Sequence, residues 1–223
     1  MNSNRLSQIT FFINKSDRVI DVGCDHALLD IYLIQNDICQ SSLASDISEN
    51  ALKAGIKNIK NAKLEKKIPT VISDGLMNID TSNYNTIVIS GMGAHTIMDI
   101  LSEKKKLRSI NKIIIQSNNE WPLIRKFMNK IGYYLLDEAI VKDRNHYYSV
   151  MKFIKKNKKN SPKIIKYGIY KINNLDYYRY RIYQNNDILK MIKNDIFKKI
   201  KVEIENRTYH KYFKKITGRK WAD

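Results

Sequence analysis

The sequence predicts an α/β protein, with a mainly parallel sheet containing one antiparallel strand and a helical tail behind it. Three observations carry that prediction. Through roughly the first 150 residues, short β-branched runs alternate with stretches at helical spacing. Near the end of that region two strands follow one another with only a polar turn between them. Beyond residue 155, apolar residues recur at intervals of three and four, the pattern of packed helices.

The elements follow in order. Arg18–Asp21 with Val22 reads as a first strand ending at Gly23, and Leu28, Leu29, Tyr32 and Leu33 place a helix after it. Ser42–Asp46 is a second strand, and Ser48 is an N-cap for a helix over Asn50–Asn61. Ile68–Ser73 is a third strand, ending at Asp74-Gly75. Thr86–Ser90 is nearly all apolar, as a strand covered on both faces should be, and it ends at Gly91-Met92-Gly93. A helix through Ile97, Ile100 and Leu101 leads to a fifth strand, Lys112–Gln116. Trp121–Ile131 is helical with Pro122 in its first turn. Tyr133–Val141 and Tyr147–Ile154 form the closing hairpin across Lys142-Asp143-Arg144-Asn145, which is expected to add an antiparallel strand at the sheet edge.

Lys155–Lys163, polar and broken by Pro162, is the expected boundary between a domain of residues 1–154 and one of residues 155–223. In the tail, Leu175, Tyr178, Ile182, Asn185, Leu189, Ile192 and Ile196 follow heptad spacing. Ile200, Ile204, Thr208, Tyr212 and Ile216 continue at fours. The expectation is a coiled-coil-like pair of helices, or one bent helix, without a core of its own.

The chain has 223 residues and a formal net charge of +18. Isoleucine, lysine and asparagine, all with AT-rich codons, make up about two fifths of it, so codon bias accounts for part of the lysine. It does not account for the distribution: residues 1–153 carry net +4, and residues 154–223 carry net +14. That concentration points to a polyanionic partner. No apolar run reaches the roughly 18 residues a membrane span needs. The opening Met1-Asn2-Ser3-Asn4-Arg5 has no apolar segment of a signal peptide, and Cys24 and Cys39 form no metal spacing. A cytoplasmic protein without a metal centre is expected.

In open parallel sheets ligands bind at the carboxyl ends of the strands. Here those ends carry Asp21-Val22-Gly23-Cys24-Asp25-His26, then Asp46, then Asp74-Gly75, then Gly91-Met92-Gly93. Each alone is an ordinary turn or cap. Together, after successive strands, they suit a nucleoside: glycine lets the backbone approach, one acid can accept from ribose hydroxyls, and the next from an exocyclic amine. The dinucleotide pattern Gly-x-Gly-x-x-Gly is absent, and Asp25 would repel a pyrophosphate. A single-glycine acidic turn fits a positively charged cofactor without phosphates, S-adenosyl-L-methionine.

Arg5-Leu6, the run from Asp21 to Asp30, Ser90-Gly91-Met92-Gly93, Ile114-Ile115-Gln116-Ser117-Asn118, the hairpin from Asp143 to Val150 and the basic helical tail together resemble the TrmK family. The resemblance implies a Rossmann-like class I methyltransferase sheet that transfers a methyl group to N1 of adenine 22 in tRNA. Ala94 stands where the family usually has glycine, and Asp30 and Ser117 where it has proline. By position, Asp21 and Gly23 would form the cofactor turn, Asp25 and His26 would lie near the methionine moiety, and Asp46, with Ile47 beside it, would take the ribose. Asp74 and Gly75 would read the adenine, and Gly91, Met92 and Gly93 would line the gap to the target base. Asp25, His26 and Asn118 are the expected polar residues at the reaction, Asn118 against the target base.

Adenine N1 is a neutral nucleophile, so in-line attack needs orientation rather than a general base. Exposing a paired base costs roughly a few kcal/mol, which RNA contacts must supply. Lys155, Lys156, Lys158, Lys159, Lys198, Lys199, Lys214, Lys215, Arg219 and Lys220 suit phosphates, and Tyr177, Tyr178, Tyr180 and Tyr183 suit either base stacking or helix packing. A monomer acting on tRNA, with neither DNA nor a membrane as partner, is expected. The competing readings are methylation of another RNA or a protein, or a non-catalytic RNA-binding relative. The strand-four loop lacks the Asn/Asp-Pro-Pro-aromatic motif of amino-methyltransferases, which favours a ring nitrogen as acceptor.

Overall fold

The computed structural model describes residues 4–144, 146–169 and 175–219. Asn145 of the expected turn and Lys220 of the expected basic cluster lie outside them. Seven strands, β1 (Arg18–Val22), β2 (Ser41–Asp46), β3 (Thr70–Ile72), β4 (Thr86–Met92), β5 (Lys112–Ser117), β6 (Tyr133–Asp143) and β7 (His146–Lys155), form one sheet in the order β3-β2-β1-β4-β5-β7-β6. The neighbours from β3 through β5 pair in parallel, and β7 pairs antiparallel with both β5 and β6.

The antiparallel strand is therefore interior, not at the edge. The second strand of the hairpin inserts beside β5, and the first becomes the rim. Burial explains the choice: Val150, Met151 and Phe153 are fully buried on both faces, whereas β6 alternates between buried and half-exposed positions. Strand β3 is also shorter than Ile68–Ser73. Pro69 has no N–H to donate, and Ile68 is held in a turn by its N–H bond to Leu64 O (3.0 Å).

Helices cover both faces. Side-chain alternation along the strands sends Ile20, Ile87, Ile89, Ile113 and Ile115 to one face, against α4 (Ala94–Ile100) and α5 (Trp121–Lys130). Val19, Val88, Ile114 and Val150 point to the other, against α1 (Asn4–Phe11) and α2 (Leu28–Gln35). Helix α3 (Glu49–Asn61) starts at the expected cap, with the Ser48 hydroxyl accepting from Ala51 N–H (3.3 Å).

The tail holds α6 (Pro162–Tyr167), α7 (Leu175–Met191) and α8 (Ile196–Thr217), so the turn of the helical pair lies at 192–195. It packs on the sheet domain: Tyr177, Tyr178 and Ile182 of α7 and Phe213 of α8 belong to the same apolar cluster as α5 and β6. The seam on α8 differs from the heptad expectation. Ile196, Ile200 and Ile204 are exposed, and the inward side carries Asn206, Tyr209, Phe213 and Ile216. Specific pairs set this register: Tyr178 stacks on Tyr212 at 5.8 Å, Arg181 pairs with Glu205 (3.4 Å), and Asn206 Nδ2 donates to Asn186 Oδ1 (2.8 Å). A buried ion pair anchors the start of the tail. Glu138 takes Arg125 (2.5 Å), the Ser149 hydroxyl (2.5 Å) and Ile169 N–H (2.9 Å).

Candidate functional site

A cleft of about 880 Å³ opens over the carboxyl ends of β1 to β4, where strand order reverses about β1 and β4. Gly23, Asp25, Asp46, Ile47, Asp74, Gly75, Gly91 and Met92 of the expected residues line it. Thr96, Asp99, Ile100 and Glu103 from α4 and the turn beyond it add a wall.

The first turn is built from backbone bonds. Gly23 and Cys24 both donate N–H to Ser45 O (2.8 and 2.9 Å), which ties the end of β1 to β2. Gly23 has φ +75°, a left-handed conformation that favours glycine, and a Cβ there would lie 2.2 Å from the Met92 methyl and push that side chain aside. Asp46 is fixed from two sides: Oδ2 accepts Asp25 N–H (3.0 Å) and Oδ1 accepts Ser48 N–H (2.8 Å). These bonds hold a nearly buried carboxylate at the cleft wall, oriented before any ligand arrives. Asp74 is exposed on the adjoining wall.

Asp21 does not line the cleft. It is buried beneath the turn against Asp30 of α2, and burial and the neighbouring carboxylate together push its proton affinity well up. Asp30 is pushed to about 6 by burial, with the Ser42 hydroxyl donating to it. Burial and proximity disfavour a negative charge on both carboxylates at once, so the pair is structural and Asp21 is not a charged ligand contact. His26 also stays outside the cleft lining. Its ring is half-exposed, 3.7 Å from the Asp25 carboxylate, and its carbonyl accepts from Asn58 (3.0 Å). Burial pushes the Cys24 thiol up as well, so no thiolate nucleophile is available in this turn.

On the far wall, β4 continues to Met92 with a bulge between Ser90 and Met92. The buried Gln116 carboxamide organises it. Its Oε1 accepts from the Ser90 hydroxyl and Gly91 N–H (both 3.0 Å), and its Nε2 donates to Asn118 Oδ1 (3.2 Å). Asn118 Nδ2 then donates to Gly91 O (2.7 Å), so this residue braces the wall without lining the cleft. Gly93 is likewise outside the lining, as the N-cap of α4 beside Asn119. Gln116 is the site residue that residue-type reasoning missed. The available signal was a lone amide following three isoleucines near the end of a fully buried strand. Arg5 reaches the same oxygen at 3.4 Å while pairing with Asp143 (3.0 Å), and so ties α1 to the hairpin.

Lys155 ends β7 opposite Tyr133, at the amino ends of the parallel strands. Its ammonium is bonded to Leu107 O and Arg108 O (3.0 and 2.9 Å). Lys198 and Lys199 are exposed at the turn end of the helical pair. Of the tail tyrosines, Tyr177 and Tyr178 are buried in the core, whereas Tyr183 is 58% exposed. Among the described residues, no helix is long and apolar enough to cross a membrane.

Residues 2–151 match a family model described as a methyltransferase domain. A Mycoplasma genitalium relative is 33% identical over 135 residues, 60% of each chain. The tRNA (adenine(22)-N(1))-methyltransferase of Bacillus subtilis is 29% identical over 150 residues, 67% of this chain and 63% of that one. The chain thus matches less than two thirds of the length of these two curated relatives. The structure of M. capricolum TrmK in complex with S-adenosyl-homocysteine superposes with a TM-score of 0.79 at 30% identity, covering 97% of this chain and 99% of that one. The fold agrees with these likenesses, and the chain belongs to the TrmK family of methyltransferase-domain proteins.

Proposed function

We propose that this protein transfers the methyl group of S-adenosylmethionine to N1 of an adenine in tRNA, at position 22 by its family likeness. The observation that carries the reading is the Asp46 carboxylate. It is held by two backbone N–H groups at the wall of a cleft whose turns, at Gly23, Gly75 and Gly91, all have positive φ. That is a preorganised acceptor for vicinal hydroxyls beside backbone that a ligand can approach closely.

The cofactor supplies an electrophilic methyl on a positively charged sulfur. Around it, Asp46 would accept from both ribose hydroxyls, Asp74 from the adenine amine, and Asp25 would balance the ammonium. Gly91, where an added Cβ would meet nothing within 4 Å, leaves the strand-four wall open to an incoming base. Gln116 and Asn118 keep that wall in place, which makes both positioning residues. Adenine N1 needs no base to attack, so these residues act by alignment. Residues 1–154 would serve the cofactor and residues 155–223 the RNA, in the cytoplasm where tRNA is found.

Incubation with S-adenosylmethionine and unmodified tRNA, followed by nucleoside mass spectrometry and mapping, tests the proposal. N1-methyladenosine at position 22 is expected. Cofactor binding without any new methyladenosine would overturn the substrate assignment.

A further inference from the structure

Beyond the cofactor cleft, two cavities of about 350 and 600 Å³ adjoin between the β6–β7 hairpin and α7, sharing Tyr147, Tyr180 and Gln184. The inner one begins at Asn118 and Trp121, and the outer one opens past Tyr183. Trp121 and Tyr180 pack at 4.5 Å, Tyr147 and Tyr180 at 6.0 Å, and the Lys142 ammonium lies 5.9 Å above the Tyr147 ring. This is an aromatic trough that carries Gln184 and Asp187 among its polar groups, with Ile188 and Met191 at its outer end.

Strand register places it beside the site. Met92 pairs with Ser117, and Ser117 with Ser149, so the three are level across β4, β5 and β7. Two strand spacings separate Met92 from Ser149, about 10 Å, and Tyr147 projects two residues further, about 7 Å past the end of β5. The trough therefore opens on the same sheet edge as the cleft, about 12 Å from the wall at Gly91–Gly93. Its aromatic faces suit a base, and Lys142, Lys166 and Arg181 in its lining suit the attached phosphates. Asp187, paired with Lys190 (3.4 Å), lines the outer cavity and can accept from an exocyclic amine. Gln184, whose Oε1 accepts from Arg181 (3.2 Å), also hydrogen-bonds the Tyr180 hydroxyl, so it fixes the edge of that ring as a stacking face. Stacking faces with a few amide and carboxylate groups are the usual means of holding an unpaired base.

We infer that this trough is a second nucleobase subsite, taking the base of an unpaired nucleotide close to the one presented for methylation. The inference rests on the RNA-substrate reading above and adds a specificity element to it. Tyr183, half-exposed at the rim, is the residue to change, because Tyr180 and Trp121 are packed into the core.

Two measurements test it with Tyr183→Ala and Tyr183→Trp. In tRNA methylation, Tyr183→Ala should raise KM for tRNA about 5- to 30-fold, the size of one lost stacking contact, with the loss in KM rather than kcat and with cofactor affinity unchanged. Tyr183→Trp should restore it. Separately, a short single-stranded RNA carrying 2-aminopurine should be quenched on binding the wild-type protein and not on binding Tyr183→Ala. Unchanged KM in Tyr183→Ala, or equal quenching by both proteins, overturns the subsite. A wild type that methylates no tRNA overturns the proposed function instead, and the quenching comparison then still decides the trough.

Discussion

Replacing Asp30 with asparagine isolates the buried acid pair under the first turn. Asp30 lies fully buried in α2 against Asp21, with the Ser42 hydroxyl donating to it, and its proton affinity rises from the ordinary 3.8 to about 6. Asp21 is raised as well. For an acid whose folded pKa lies above its unfolded one, the folded state binds the proton more tightly. The stabilisation is complete below about pH 4 and is lost as pH rises through about 6. A shift of that size corresponds to about 3 kcal/mol, or roughly 6–12 °C in melting temperature for a chain of this length. Asparagine keeps a neutral partner for Asp21 and removes the titration. The melting temperature of the variant minus that of the wild type should therefore rise between pH 4 and pH 7 by several degrees and level off above. Differential scanning fluorimetry across that range measures it. A difference that stays flat from pH 4 to pH 8 would refute the raised proton affinity of this pair.

Asp46→Ala should lower cofactor affinity by about 100-fold or more, since two charge-assisted contacts go and two loop N–H groups lose their acceptor, while tRNA affinity stays within about twofold. Calorimetry with S-adenosylmethionine and filter binding with tRNA separate the two effects. Charge reversal at Lys198 and Lys199 should reduce the slope of log affinity against log salt for tRNA by about 2 and leave cofactor binding intact. Gly168→Ala should destabilise the fold by about 3–5 kcal/mol in urea unfolding. At φ +82° its Cβ would stand 2.3 Å from Glu138 Oε2 and 2.8 Å from Arg125 Nη2, prising apart a buried ion pair.

The strand ends were legible because period and punctuation coincide there. Each apolar run stops on an acid or a glycine, and Asp46, Asp74, Gly23 and Gly91 all line the cleft. Asp21 looked the same and is not in it. Alternation gives the reason: Ile20 and Val22 face α4 and α5, so Asp21 faces the other way with Val19, toward α2, where Asp30 waits. That parity is present in the sequence, whereas the residue covering that face is not. The hairpin hid its strand order similarly. Two successive strands reveal a turn but not which of them will find β5, and the answer depends on which is apolar on both faces. In the tail, spacing by fours identified helices but not their seam. Polar and aromatic pairs such as Arg181–Glu205 and Tyr178–Tyr212 turn α8 so that Ile196, Ile200 and Ile204 face outward. The consequence bears on function. A seam built from these pairs fixes the helical hairpin to the sheet domain at Tyr177, Tyr178 and Ile182. It also leaves Tyr183 and the lysines at the turn end exposed, as the proposed RNA contact requires.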